Sequence, residues 1–300
     1  MAVRNRDGGH IMFVELLGEV SSIAKLGFKP ATAHLTEFVN NISGFIDVLE
    51  QIGTIPESLA QNSTEEKLFA KASEIALARA FRELGLDSTI IEQRGNAADV
   101  FAESHVFGYK LVADAKTFRM SRTAKNQKDN KIVALSEWRN GAEYAVLCSP
   151  LFQYPKSSSQ IFSQSLKNSV CLISWEHIVF MLKNGIRENE HLNLSQLWNF
   201  GSAYRKTISF DDGEKSFLTP FTQHLVSMTG FEMSDFRVLL ERQISIMEKR
   251  SNWEIEYWEK QKELIQSYSK ADAIAELIKA KKIDAKIRQI EGFVKGLHYA

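Results

Sequence analysis

Two aspartates and a lysine carry the most distinctive chemistry in this sequence. Asp114 and Lys116 stand two residues apart in the run LVADAKT, so their side chains share one face of an extended strand. Their Cα atoms would lie roughly 6.6 Å apart, which is two strand rises. Asp99 begins an earlier strand-like run, and antiparallel pairing can bring its carboxylate beside that of Asp114. Opposed carboxylates are unstable without a positive charge between them, and a divalent cation is the natural candidate.

Such a cation would equip these residues for phosphate chemistry. Mg²⁺ usually takes carboxylates, water and substrate phosphate oxygens as its ligands. A bound metal lowers the pKa of its water and offsets charge on a phosphate in the transition state. Because neighbouring carboxylates favour the ammonium form of Lys116, we expect it to orient water and stabilise charge rather than act as a strong base. The alternative is a surface hairpin with an ordinary ion pair between Asp114 and Lys116.

A basic segment follows the candidate site. Residues 116–131 include six lysines and arginines, where the chain average predicts two, and Asp129 is the one acid among them. Several phosphate contacts from such side chains would make DNA binding strongly salt-dependent. Interleaved asparagine and glutamine can bond to adenine, and arginine to guanine. The alternative is a solvated charged loop. The candidate DNA-binding residues are Arg119, Arg122, Lys125, Asn126, Lys128 and Asn130.

The elements around these residues follow the order α-β-β-β-α-β-(α)-β, which is typical of a mixed sheet flanked by helices. Ser63 and Glu66 form a capping-box pattern, and the helix that they begin should end at Gly85. A second helix is expected from about 129 to 140. The strand candidates are residues 88–93, 98–103, 109–118, 143–149 and 170–175.

The flanking regions are predicted to be helical. Residues 10–52 have the pattern of two helices broken at 27–30, and the chain is almost entirely helical from 192 onward. We therefore expect an N-terminal helical extension (1–62), a core (63–190) and a helical C-terminal region (191–300). An apolar stripe near the C-terminus could be core or a dimer surface; it comprises Ile283, Ile287, Ile290, Phe293, Val294 and Leu297.

The sequence resembles the type II restriction endonucleases of the PD-(D/E)xK superfamily. The match consists of Asp99 followed by Asp114-Ala115-Lys116 on a β-hairpin after a capped helix, with Ala98 where the family often has proline. The resemblance implies an α/β, restriction-endonuclease-like core with helical extensions at both ends. It also implies catalytic roles for Asp99, Asp114 and Lys116, and a metal site at Asp99, Asp114 and Ala115.

The same resemblance implies a function. It implies Mg²⁺-dependent hydrolysis of double-stranded DNA by a homodimer, with Mn²⁺ as a substitute metal and 5′-phosphate ends as products. Over its full length the chain resembles an enzyme of this type that cleaves within the palindrome AAGCTT. Asp129 is either the N-cap of the following helix or a further acid near the metal, and Glu74 and Glu92 are less certain acids near the core.

Composition excludes several other classes of protein. Lysine plus arginine equals aspartate plus glutamate at 37 each, so any nucleic acid must be met by a local patch. The sequence lacks GxxxxGK[ST], GxGxxG, CxxC, HExxH and GxSxG, which argues against nucleotide-loop, zinc and serine-hydrolase sites. It has no signal-peptide pattern and no apolar run approaching the ~18 residues of a membrane span. Cys148 and Cys171, both in apolar runs, fit the reducing cytoplasm.

Two rival functions remain open. A structure-selective or repair nuclease would use the same three residues but would cut irrespective of sequence. A helical DNA-binding protein without catalysis would keep the acids of the hairpin as structural groups only.

Overall fold

The fold comes from a computed structural model that describes residues 8–92, 95–122, 130–155, 159–208 and 217–297. The chain divides into two units, residues 1–250 and 251–300. The first unit contains a five-stranded mixed sheet flanked by helices, which confirms the predicted α/β fold with helical termini. The strands are β1 (Asp87–Ile90), β2 (Val100–Glu103), β3 (Lys110–Ala115), β4 (Tyr144–Ser149) and β5 (Val170–Ser174).

Helices precede, connect and follow these strands. Those before the sheet are α1 (Gly8–Ile23), α2 (Phe28–Asn41), α3 (Phe45–Ile52) and α4 (Thr64–Glu83). Those that connect the strands are α5 (Ile132–Glu137), between β3 and β4, and α6 (Gln160–Lys167), between β4 and β5. Those after β5 are α7 (Trp175–Lys183), α8 (Ser195–Trp198), α9 (Phe200–Tyr204), α10 (Leu218–Thr229), α11 (Met233–Gln266), α12 (Lys270–Ala280) and α13 (Ile283–Leu297).

The N-terminal region has three helices where the sequence predicted two. The predicted break is present, because Gly27 adopts φ +80°, a backbone conformation that favours glycine. Pro30 then lies in the first turn of α2, where a missing N–H is tolerated. A second break follows at Ile42, whose extended backbone ends α2 before α3 begins. This break was missed because the apolar spacing continues across it.

Helix α4 begins and ends where the sequence predicted. The Ser63 side chain accepts a hydrogen bond from the N–H of Glu66 at 3.1 Å, and Gly85 ends the region with φ +97°. The Glu66 carboxylate accepts a hydrogen bond from the N–H of Asn62 at 2.6 Å, rather than from the N–H of Ser63. The apolar face of the helix is fully buried, and it includes Leu68, Phe69, Ala72, Ile75, Ala76 and Phe81.

The sheet combines two kinds of pairing. Strands β1, β2 and β3 form an antiparallel meander, whereas β3, β4 and β5 are parallel. Every residue of β5 and all but the first residue of β4 are buried, as expected for parallel strands covered on both faces. Strand β3 therefore lies at the centre, with an antiparallel partner on one side and a parallel partner on the other.

Two further sequence expectations have structural outcomes. The helix expected from about 129 to 140 is described as Ile132–Glu137, with Lys131 as its N-cap residue, and Asp129 lies outside the described residues. Cys148 and Cys171 are buried free thiols, and burial raises the pKa of both. No helix in the described ranges is both long enough and apolar enough to cross a membrane.

The second unit is helical and leaves its apolar stripe exposed. Ile283, Ile287 and Ile290 are 39, 48 and 64% exposed. The side chains of Phe293, Val294 and Leu297 lie outside the described part of the chain. The described stripe residues are therefore not core residues. The three-part division of the chain that the sequence suggested remains a prediction.

Candidate active site

The candidate site lies where β2 and β3 meet, and strand register creates it. Val100 pairs with Ala113, and the N–H of Asp99 donates to the Ala113 carbonyl at 3.0 Å. Asp99 immediately precedes β2, and Asp114 follows Ala113 on β3, so the two aspartates are neighbours at this end of the antiparallel pair. The structure therefore brings them together, as the sequence predicted, while their roles remain a prediction.

The two carboxyl groups are held in contact. One oxygen of Asp99, Oδ2, accepts the N–H of Ala115 at 2.9 Å, and its carboxyl group lies close to that of Asp114. Burial, and then the charge and hydrogen bond of Asp114, raise the pKa of Asp99 to about 9. Because the raised pKa of Asp99 opposes its ionisation, this site favours a bound proton or a cation.

Lys116 points to the same face as the aspartates. Its Nζ forms an ion pair with Asp114 Oδ2, on side chains that are 18% and 5% exposed respectively. The ammonium group is therefore the positive partner of this largely buried carboxylate oxygen. A charge pair of this kind keeps the lysine directed toward the aspartates.

Glu74 brings a third carboxylate to the edge of this site from helix α4. Burial raises its pKa, the neighbouring Lys71 lowers it, and the charge of Asp114 raises it again. Lys71 and Glu74 form an ion pair one helical turn apart, with side chains 14% and 21% exposed. Glu92, the other acid considered from the sequence, is exposed to solvent.

The donor set fits a hard divalent cation. Asp99 is half-buried just before β2 and Asp114 is buried on β3, so the two offer carboxylate oxygens at neighbouring positions. The described part of the chain contains no group of three or more His, Cys, Asp or Glu side chains arranged to hold a metal. Mg²⁺ is suited to such a site because it retains waters and takes substrate phosphate oxygens, so it needs few protein ligands.

Comparison with known proteins decides the family. A model of the HindIII restriction endonuclease family matches residues 14–294, which is most of the chain. The chain belongs to the HindIII restriction endonuclease family. It is also 44% identical over 285 residues to the type II restriction enzyme HindIII of Haemophilus influenzae, covering 94% of this chain and 95% of that protein. The resemblance inferred from the sequence is thereby confirmed, and this protein is a nuclease of the restriction type.

In this HindIII-family chain, Arg119 is bound to protein. Its guanidinium donates to the carbonyls of Pro56 and Leu59 at 2.7 and 2.6 Å, and to Glu66 Oε1 at 2.6 Å. Its side chain is 18% exposed. This geometry supports a role in joining the segment after β3 to the start of helix α4. The prediction that Arg119 contacts DNA stays a prediction.

The remaining candidate DNA-binding residues have different settings. Arg122 stacks its guanidinium on the Phe118 ring, 3.9 Å from the ring centroid. Asn130 is buried, and its Oδ1 atom finds no hydrogen-bond donor within the described ranges. Three candidates, together with the possible metal ligand Asp129, lie outside the described residues; they are Lys125, Asn126 and Lys128.

The sequence missed the residues that hold the active strand from outside the hairpin. The buried carboxylate of Glu57 accepts the N–H of Ser121 at 3.0 Å and its hydroxyl at 2.9 Å. Trp175 Nε1 donates to the Lys116 carbonyl at 3.0 Å. Neither residue belongs to a local pattern, because the partners are 64 and 59 positions apart. Only the tertiary fold brings them together.

Proposed function

We propose that this HindIII-family endonuclease hydrolyses double-stranded DNA within AAGCTT, using Mg²⁺ and leaving 5′-phosphate ends. The observation that carries the proposal is the contact between the Asp99 and Asp114 carboxyl groups, with Lys116 paired to Asp114 on the same face. The target sequence rests on similarity to the HindIII enzyme, to which the chain is 44% identical over nearly its whole length.

Each of the three residues has a distinct task in the reaction. Asp99 and Asp114 would hold the metal through their carboxylate oxygens, together with the main chain at Ala115. When bound, the divalent ion polarises the attacking water and offsets charge on the scissile phosphate. Lys116 places its ammonium group beside the reacting phosphate, where it orients the water and stabilises the charge that develops on the phosphoryl oxygens.

The bond changes follow in-line displacement. The water oxygen forms a bond to phosphorus while the bond to the 3′ oxygen breaks. The water gives up one proton to solvent and the 3′ oxygen takes one from solvent, which yields a 5′-phosphate and a 3′-hydroxyl. The ion pair with Asp114 keeps Lys116 directed toward the site before substrate arrives. Pre-positioned charge of this kind is effective because it needs no reorganisation during the reaction.

The proposal includes a homodimer in the cytoplasm. A palindrome presents the same sequence on both strands, so two copies related by a two-fold axis can each cut one strand.

Mn²⁺, which also accepts oxygen ligands, is expected to replace Mg²⁺.

Digestion of one long DNA of known sequence tests this function. With Mg²⁺ present we expect discrete fragments, and sequencing of the fragment ends should place every cut within AAGCTT and identify 5′-phosphates. Chelation of the metal should abolish cleavage. A smear of fragments would favour a structure-selective or repair nuclease, and intact DNA with both Mg²⁺ and Mn²⁺ would favour a non-catalytic DNA-binding protein.

A further inference from the structure

Lys116 lies one residue beyond the end of β3, and two other parts of the fold hold its main chain. Its N–H donates to the Cys148 carbonyl at 2.8 Å, which continues the pairing with β4. Its own carbonyl accepts a hydrogen bond from the indole Nε1 of Trp175 at 3.0 Å. The peptide groups on both sides of the Lys116 Cα are therefore fixed, although the residue itself is outside the strand.

Trp175 is held firmly enough to act as an anchor. It is the first residue of helix α7 and is 2% exposed. The start of that helix is fixed by a capping box, in which the Ser174 hydroxyl accepts the N–H of His177 and the His177 ring accepts the N–H of Ser174. Reciprocal capping of this kind restrains the first turn, so the position of the indole is restrained as well.

A glycine on the other side of the indole makes room for this contact. A Cβ atom at Gly53 would lie 2.7 Å from both Trp175 Cδ1 and Pro150 Cγ, which is too close for any side chain. The Gly53 carbonyl accepts the N–H of Phe118 at 3.0 Å, and the N–H of Ile55 donates to the Phe118 carbonyl at 3.1 Å. The main chain of residues 116–118 is thus bound at three points outside the sheet.

We propose that Trp175 is a positioning residue for Lys116 and that it acts through the indole hydrogen bond to the Lys116 carbonyl. The proposal rests on the role proposed above for Lys116 in phosphate chemistry. A lysine side chain has four rotatable carbon–carbon bonds, so the direction of its Cα–Cβ bond decides where the ammonium group can reach. Loss of the indole bond frees the Lys116 peptide and lets the ammonium group move relative to the phosphate.

The test compares two buried tryptophans that each lose one N–H donor. Trp175→Phe removes the bond to Lys116, and Trp198→Phe removes a bond of the same length to the Tyr109 hydroxyl, in a residue that is 1% exposed. Three quantities are measured for each variant: the single-turnover cleavage rate of a cognate duplex with Mg²⁺, the affinity for that duplex without divalent metal, and the thermal midpoint of unfolding.

We expect Trp175→Phe to slow the cleavage step about tenfold or more while its DNA affinity stays within about twofold of the parent chain, because misplacement of a catalytic group affects chemistry rather than binding. Trp198→Phe should lose comparable stability and keep its cleavage rate. Equal slowing in both variants, or an unchanged rate in Trp175→Phe, would overturn the proposal.

Gly53→Ala provides a second route if Trp175→Phe does not fold. It leaves the indole in place but crowds it, so it should also slow cleavage without weakening DNA binding. A folded Gly53→Ala protein with the parent rate would count against the positioning role. If the role proposed for Lys116 is wrong, the Lys116→Ala variant should cleave DNA at the rate of the parent chain. This result distinguishes a failure of the proposed function from a failure of the positioning role of Trp175.

Discussion

Asp99 lies beside Asp114 at the end of the antiparallel β2–β3 pair, and its Oδ2 atom accepts the N–H of Ala115, the residue that follows Asp114. This relationship explains why the pKa of Asp99 is raised to about 9, since burial and a second carboxyl both oppose its ionisation. Two like groups are kept together against their repulsion by the strand register and by the N–H of Ala115, which donates to Asp99. The Lys116 ammonium group, which pairs with Asp114, supplies a positive charge at this site.

The first prediction concerns the charges of the site. Asp114→Asn and Lys116→Ala should each lower the cleavage rate by about 10³-fold or more, because both residues act on the transferring phosphate. DNA affinity should be retained, which a binding measurement without divalent metal can show. Asp87→Asn is the matched control, since this exposed residue on β1 lies outside the site. Comparable activity in Asp114→Asn and the control would contradict the assigned roles.

The second prediction concerns the basic segment. Replacing Lys125 and Lys128 by alanine should weaken binding to all DNA sequences and reduce the slope of log affinity against log salt by about two, because each phosphate contact contributes about 0.9. Lys25→Ala with Lys29→Ala, on an exposed part of the N-terminal region, serves as the control. An unchanged salt slope would place the phosphate contacts elsewhere.

The third prediction concerns Arg119. Because its guanidinium donates to two carbonyls and to Glu66, Arg119→Ala should lower the free energy of unfolding by about 2–4 kcal/mol. Urea denaturation measures this change. The salt slope of DNA binding should stay near that of the parent chain. A variant of full stability whose slope falls by one would show that Arg119 contacts phosphate instead.

The fourth prediction concerns pH. His177 is fully buried, and burial lowers its pKa to about 3 from the ordinary value of 6.5. Below pH 6.5 the unfolded chain binds a proton that the folded chain does not, so stability should fall with decreasing pH by about 1.4 kcal/mol per unit from this group. Urea denaturation between pH 7 and 5 measures the slope.

His177→Asn provides the control for that slope. Asparagine does not titrate in this range, so the variant should show a shallower loss of stability over the same interval, whatever its stability at pH 7. An equal slope in both proteins would assign the pH dependence to other groups.

Local patterns predicted the parts of this protein that depend on near neighbours. Asp114 and Lys116 could be placed on one face because side chains alternate along a strand, and the helix from Ser63 could be recognised from its cap. The approach of Asp99 required only hairpin pairing between two adjacent strands. These inferences succeed because the determining residues lie within about one hairpin of each other.

The contacts that hold the site from a distance could not be predicted in the same way. In the sequence, Trp175 is one more apolar residue at the start of a helix, and Glu57 is an acidic residue in a loop. Neither belongs to a pattern that indicates its hydrogen-bond partner. Their partners depend on where helix α7 and the loop after α3 pack, which is decided by long-range burial. The contacts of Arg119 with the Pro56 and Leu59 carbonyls could not be predicted for the same reason, since a basic residue in a basic run gives no sign of such partners.

Strand β3 lies in the middle of the sheet, with paired neighbours on both sides. An element in that position cannot open by fraying at an edge, so its exposure to solvent requires most of the surrounding core to come apart. Heat inactivation should therefore coincide with global melting, and amide hydrogens of β3 should be among the slowest in the molecule to exchange with deuterium. At temperatures below the melting transition, we therefore expect the residues of the candidate site to stay in place and the nuclease activity to be retained.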